Sequence, residues 1–484
     1  MRGMATPLPT PWSTQADLTR PVVLAIGGAF ACAAAGAGLA PAWFWVPLGI
    51  VAIGAAGILA FRHLVAVCVA WLLVAGATLE MALADIVGPG AYQSTIAAVK
   101  ATELGLALLC VLRYGFYADV FNPALAFLAM FVAGLAHGLH PELTPADSLR
   151  SLLGSVAPFA FAFSRLSPGW GSAMVRATAW IPLLSVAGGV ALDLCGLRPV
   201  FVDSYGQRLA GLGHPAFLAG FCLAAIYACL IDLYRDGRFR WLLLLAANFL
   251  ILVLTGARAP LAGAIAVTGL TFGFVRSDAF PRRYRVLTLL LAGCLLPLLV
   301  ALARDLPMVR LFNVLNGEAG NLSGRELLWP PFEQAAAASP WFGWGVGAGN
   351  AIIPQDSELA QMIRNWAAHN EYLRMSVEGG QLGRALLIVL FLFWVAGHTR
   401  RLCRTDRVIM RLAFLAFAVH AYTDNVLIAT TACVFFTFAT GVFAQNRCRD
   451  LESEQLQARF DELPSHARPT MVVKTQFVTR TEKR

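Results

Sequence analysis

The sequence predicts an all-α protein, a polytopic transmembrane helical bundle of about 12–14 spans with one large loop on a single side of the membrane. Three observations predict it. Of the 484 residues, 58% are hydrophobic and only 13% charged, whereas a soluble domain carries about 25% charged residues; mean hydropathy is +0.66. Apolar runs recur at close to the roughly 20 residues that cross a hydrocarbon core as a helix, where a β-barrel would show alternating segments of about ten. The basic residues gather in short loops, which is the pattern that sets the orientation of membrane helices.

The runs fall near 21–39, 42–60, 64–86, 94–113, 121–138, 149–165, 173–194, 214–234, 240–255, 258–276, 284–303, 380–398, 408–424 and 427–445. This count is an upper one, because two short neighbours can form one bent helix or a re-entrant pair. Arg62 with His63, then Arg235, Arg238 and Arg240, Arg276 to Arg285, Arg400 to Arg407, and Arg447 with Arg449 all fall on one side. By the positive-inside rule that side is the cytoplasm, and both termini lie there. The other side receives 87–93, 139–148, 195–213, the break near 256–259, the loop 304–379 and the hairpin around Asp424. The expected organisation is a cytoplasmic leader (1–20), N-terminal transmembrane helices (21–303), the large periplasmic loop (304–379), C-terminal transmembrane helices (380–445) and a cytoplasmic tail (446–484). The leader is too polar for a cleaved signal peptide, and the tail reads as a weakly amphipathic or interfacial segment without chemistry.

Several function classes drop out. Net charge is +9, but the basic residues are spread among loops rather than gathered in a nucleic-acid footprint, so no nucleic-acid partner is expected. The ten cysteines contain no C-x-x-C pair and lie mostly inside apolar windows, as small buried hydrophobes. No D-x-D, H-E-x-x-H or Walker loop occurs, and the histidines show no metal spacing. No metal and no cofactor are expected.

Four polar stretches on the non-cytoplasmic side need a reason. "DSYGQRLAGLGHP" (Asp203–Pro215) carries Arg208 and His214 at the mouth of an apolar window. "LTGARAPLAG" (Leu254–Gly263) sets Arg258 among otherwise apolar residues, at an insertion cost of about 2.5–3.5 kcal/mol for a mid-helix Arg. Gly256 and Pro260 break the helix there, which lipid tolerates only where backbone lines protein or a cavity. Arg258 is either an Arg snorkelling from a tight turn or a cation aimed at an anionic substrate, for which a guanidinium is a planar, permanently charged fork. "NLSGRELLWPP" carries Ser323, Arg325, Glu326 and Trp329. Taken singly, Arg325 and Arg208 read as surface charges; their convergence with Arg258 on one face suits a pyrophosphate. "AAHNEYLRMSVEGGQLG" (Ala367–Gly383) places His369, Asn370, Glu371, Tyr372 and Arg374 beside an apolar window. His369 is either a helix-start hydrogen bonder or a general base, since imidazole titrates near neutral pH. A helix begun at Ala368 would put His369, Tyr372 and Ser376 on one face. Gly379, Gly380 and Gly383 read as close helix packing.

In their order along the chain, these stretches resemble the O-antigen ligase superfamily of polytopic bacterial glycosyltransferases, which also holds O-antigen polymerases and protein O-oligosaccharyltransferases. "RLAGLGHP" is similar to the family's Arg before a Gly-rich turn. "LTGARAPLAG" is similar to its Thr-Gly-Ser-Arg element, with Ala257 where Ser is usual. "SGRELLW" and "PWFGWGVGAGN" look like its Ser-Gly-Arg…Trp element and the Gly-rich run after it. "HNEYLRMSVEGGQLG" is similar to its His-Asn-x-Tyr-Leu…Glu-x-Gly…Gly element.

The resemblance implies a GT-C-like fold in the bacterial inner membrane. It implies transfer of a glycan from an undecaprenyl-pyrophosphate-linked O-antigen donor to a sugar hydroxyl of a lipid A–core acceptor at the periplasmic face, without metal and with anomeric inversion. His369 would be the general base, Arg208, Arg258 and Arg325 would bind the pyrophosphate, and Tyr372, Arg374 and His214 would orient substrate. Membrane lipids surround the bundle, and apolar grooves would take the polyprenyl chain. Polymerase and protein transferase share this donor chemistry. The ligase reading is favoured because the chain is membrane helices plus one loop, with only 446–484 after the last window. A secondary transporter binding an anion at a broken helix is the non-enzyme alternative; polar groups on one side only speak against it.

Overall fold

The computed structural model describes residues 57–78, 81–83, 88–203, 207–303, 325–354, 356–363 and 366–461. The expected leader, the windows at 21–39 and most of 42–60, the loop stretch 304–324 with Ser323, and the end of the tail lie outside the described residues.

The described chain is mostly helical, as expected. It runs α1 (Leu64–Ala77), α2 (Pro89–Tyr114), α3 (Ala124–His137), α4 (Pro145–Val156), a 3-10 segment (Ala157–Phe163) and α5 (Pro168–Leu194). A two-stranded hairpin follows, β1 (Phe201–Asp203) and β2 (Gln207–Leu209), pairing antiparallel with Val202 opposite Arg208. Then come α6 (Pro215–Asp236), α7 (Phe239–Leu254), α8 (Arg258–Phe274), α9 (Arg282–Ala303), α10 (Arg325–Ala338), α11 (Glu358–Ile363), α12 (Glu371–Arg400), α13 (Arg404–His420) and α14 (Thr430–Asp461).

Local chemistry fixes the helix starts. Thr144, Ser167, His214 and Asn370 each accept a backbone N–H of the first turn, and Pro145, Pro168 and Pro215 follow the first three caps, where a missing N–H costs nothing. Among the described residues, four helical stretches are long and apolar enough to cross a membrane: Ser94–Tyr114, Pro168–Leu194, Pro215–Asp236 and Glu371–Arg400. Shorter apolar helices, α1, α3, α7, α8 and the first half of α14, fill the bundle between them. The window at 149–165 is not one spanning helix. α4 gives way to the 3-10 segment at Ala157, and Ala157–Ala162 are buried against the bundle.

α6 is the central post. Its apolar window is 83% buried, against 28–33% for the other three long helices, and α5, α7, α8, α13 and α14 pack around it. The exposed large apolar residues of the outer helices, such as Leu108, Leu112, Leu392 and Phe393, then face outward, as a lipid-facing surface requires.

Loop contacts sort into two ends. At one, Arg235 pairs with Asp406 at 2.6 Å, Ser277 bonds to the Tyr234 carbonyl and Asp119 accepts from Trp394 and His398. At the other, Arg208 reaches Thr255, His140 N–H reaches the Trp344 carbonyl and the segment before α12 meets the α13–α14 turn.

α12 is broken at Gly380, whose φ of 59° and ψ of −163° are not helical. A side chain there would strain the backbone and meet Trp341 carbonyl atoms at 2.4 Å. The break leaves carbonyls and N–H groups without helical partners, and the Gly-rich run takes them. Trp344 N–H donates to Val377 O (2.8 Å) and Gly345 N–H to Glu378 O (3.0 Å), while Gln381 and Leu382 donate to Pro340 O and Trp341 O. The helix starts nine residues earlier than a boundary at 380 implies, and the boundary coincides with this break.

Candidate active site

His369 lies outside the helix that follows it. Asn370 caps α12, its side chain accepting Leu373 N–H at 3.1 Å, so the helix begins at Glu371 and not at Ala368. His369 itself holds a positive φ of 46°, uncommon for a residue with a Cβ. Such backbone persists where the surroundings fix it. Here Glu371 N–H donates to Ala421 O at 2.8 Å and Tyr372 Oη–H to Ala418 O at 2.9 Å, lacing the start of α12 to the end of α13.

This conformation points the imidazole at a residue that sequence reading did not assign a role. His369 Nδ1 stands 2.8 Å from Asp424 Oδ1, both side chains a little over a quarter exposed. Asp424 Oδ1 also accepts Asn425 N–H at 2.9 Å, and Oδ2 lies 3.8 Å from His420 Nε2. Burial raises the Asp424 carboxyl, but the hydrogen bond and charge of His369, the charge of His420 and the Asn425 N–H outweigh it and hold it at about 2. An ionised carboxylate only accepts, so His369 Nδ1 donates. In the neutral ring Nε2 is then the basic nitrogen.

The arginine-bearing hairpin is close by. Arg208 is buried on β2, and its Nε–H donates to the Thr255 carbonyl at 2.7 Å. This ties the hairpin to the turn at Gly256 that separates α7 from α8. Arg198, another residue without a role in the sequence reading, donates to the carbonyls of Leu212 and Gly213 and braces the Gly-rich turn. His214 caps α6 through Nδ1, which accepts Ala216 N–H at 3.2 Å. Desolvation and the Arg208 guanidinium hold the His214 imidazole down to about 4; Asp424 opposes this, while His369 and Arg198 add to it. His214 is thus within electrostatic reach of Arg208, Arg198, Asp424 and His369.

Arg258 is half-buried and is the first residue of α8; α10 is described from Arg325 onward. A cation at a helix N-terminus opposes the helix dipole, where stability favours an anion. The reversed placement of Arg258 makes a strongly positive helix start suited to a bound anion. The Arg325 side chain lies outside the described residues. Its helix is fixed beside the site by Trp329, whose Nε1–H donates to the Ala368 carbonyl at 2.9 Å, and by Leu328 and Phe332, buried with Ala368 and Val377.

Arg374 is placed differently from a substrate-orienting residue. Its guanidinium is buried, with Nε and Nη2 on Glu371 Oε1 and Nη1 on Glu378 Oε1 at 2.8 Å. Its donors face carboxylates of its own helix. Gly349 packs directly on this group: a Cβ there would stand 2.8 Å from Arg374 Cγ. Tyr372 is likewise engaged with the Ala418 carbonyl, and its contact is to the frame of the His369–Asp424 pair.

Residues 241–388 match the family model Wzy_C, described as O-antigen ligase. The matched stretch includes Arg258, Arg325 and His369; Arg208, His214 and Asp424 lie outside it. Comparison with curated proteins gives no match.

Proposed function

We propose that this chain, placed with the O-antigen ligases by its residues 241–388, transfers O-antigen polysaccharide from undecaprenyl pyrophosphate to a sugar hydroxyl of lipid A–core. The family supports a membrane glycosyltransferase of the ligase or polymerase type; donor, acceptor and residue roles are our reading. The observation that carries it is the 2.8 Å pair of His369 Nδ1 and Asp424 Oδ1, set beside Arg208 and His214.

In this reading Asp424 fixes the tautomer and orientation of His369 and stabilises the imidazolium that forms, the same division of labour as in other carboxylate-oriented histidines. His369 Nε2 takes the proton of the acceptor hydroxyl as that oxygen attacks the anomeric carbon. The new glycosidic bond forms on the face opposite the breaking C–O bond, so the configuration inverts, and undecaprenyl pyrophosphate leaves. Arg208, Arg258 and Arg325 meet the negative charge that builds on the leaving group, with no metal called upon. The end carrying this site faces the periplasm in the inner membrane, with the Arg-rich end in the cytoplasm, following the positive-inside rule.

The test is transfer by purified full-length protein with undecaprenyl-pyrophosphate-linked glycan and lipid A–core, in EDTA, for the wild type and His369→Ala. Glycan on lipid A–core with the wild type only supports the reading. Lengthened donor would mean a polymerase, and glycan on a protein acceptor a protein O-oligosaccharyltransferase. Donor binding without any glycosidic product would remove the enzyme reading and leave transport.

A further inference from the structure

Tyr422 stands two residues before Asp424 in the turn between α13 and α14. It is 55% exposed, yet its neighbours Thr423, Asp424 and Asn425 are polar, unlike the apolar helix faces that carry most other exposed large side chains. Its position is fixed: Tyr422 N–H donates to Val419 O at 3.2 Å, and Thr423 N–H to His420 O at 2.9 Å. Trp329 of α10 meets the ring edge to face, with centroids 6.0 Å apart and planes at 69°. Trp329 is itself pinned by its bond to the carbonyl of Ala368, the residue before His369. Trp366, 39% exposed, stands three residues before His369. Trp329 and Tyr422 are thus tied to the segments that carry His369 and Asp424.

We propose that Tyr422, backed by Trp329, is a stacking subsite for the apolar face of a pyranose ring presented to His369. The inference rests on the glycosyl-transfer reading. A hydroxyl giving its proton to His369 must come within about 2.6–3.2 Å of the base, which brings the sugar that carries it to the same lip. A pyranose offers axial C–H groups of slight positive character on one face, and an aromatic ring offers a negative face. Such stacking suits a neutral sugar, for which the site's arginines offer little discrimination, and the two torsions of Tyr make ordering it inexpensive. Donor and acceptor sugars share this chemistry.

The experiment separates the two sources and separates binding from turnover. KM for each substrate, and Kd for the donor glycolipid and for free core oligosaccharide by calorimetry, are measured for the wild type, Tyr422→Phe, Tyr422→Ala and Trp329→Ala. Tyr422→Ala should raise KM and Kd about three- to tenfold for one of the two substrates, with kcat within about twofold, while Tyr422→Phe stays near the wild type. The substrate that responds identifies the sugar that stacks. Unchanged constants for both substrates in Tyr422→Ala overturn the subsite, as does equal damage by Tyr422→Phe. Wild-type binding that depends on Tyr422 without any transfer would leave the subsite standing and refute the glycosyl-transfer reading instead.

Discussion

His369 and Asp424 are 55 residues apart in sequence and joined by a 2.8 Å contact between Nδ1 and Oδ1. A whole helical hairpin, α12 with α13, lies between them and returns the chain to the same end of the bundle. If the pair acts as one unit, its substitutions are not additive. His369→Ala should abolish transfer to within assay limits. Asp424→Asn should lower kcat on the order of 10²–10⁴-fold, and the double variant should be no worse than His369→Ala alone. A double-mutant cycle on single-turnover rates checks this; independent, multiplying losses would refute the coupling.

The arginines make a different prediction. Arg258→Ala should raise KM for the donor tenfold or more, roughly 1.4 kcal/mol or above, with the acceptor KM little changed. Arg258→Lys should recover only part, because an ammonium keeps the charge and loses the planar fork. Equal effects on donor and acceptor would place Arg258 elsewhere.

His214 supplies a pH test. Its imidazole is held down to about 4, below the ordinary value of about 6.5 for histidine. Between those values an unfolded chain binds the proton that the folded site refuses, so this group favours folding fully above about pH 6.5. That contribution is lost as pH falls toward 4. Histidine NMR should find the His214 midpoint near 4 in the wild type. Arg208→Gln should raise that midpoint, and added inorganic pyrophosphate should raise it too by neutralising the cations. A midpoint that ignores both would detach His214 from the arginine cluster.

Arg374 should behave as frame. Arg374→Ala leaves Glu371 and Glu378 buried without their cation, a loss on the order of 3–5 kcal/mol. Thermal unfolding should drop sharply, and the fraction that remains folded should keep a near-normal donor KM. A normal unfolding temperature with a raised donor KM would return Arg374 to the substrate.

Gly380→Ala should also act through folding. It combines a positive φ with a backbone clash at Trp341, and strained φ alone costs about 1–3 kcal/mol. Size-exclusion profiles and unfolding temperature would register it before any kinetic constant does.

Much of the fold was legible because lipid imposes a composition. A chain with so few charges and such regular apolar runs has little choice but helices. The sequence alone also marked His369, Arg208, Arg258 and Arg325, since a polar group beside apolar windows stands out. Local spacing could not reveal that Asn370 would cap α12 and leave His369 in a left-handed turn, because Asn370 and Ala368 compete as helix starts only once tertiary hydrogen bonds are counted. Nor could it join His369 to Asp424, or pair Arg374 with buried Glu371 and Glu378. Glu371 and Glu378 were both visible at helical spacing from Arg374; that all three side chains are buried together was not. The sequence by itself determined a helical membrane protein with polar groups set beside its apolar windows, since insertion energy is a sum over local residues. Only the tertiary structure decided which of those groups face one another and which hold the frame, because a contact across 55 residues follows from how helices pack and not from any pattern within them.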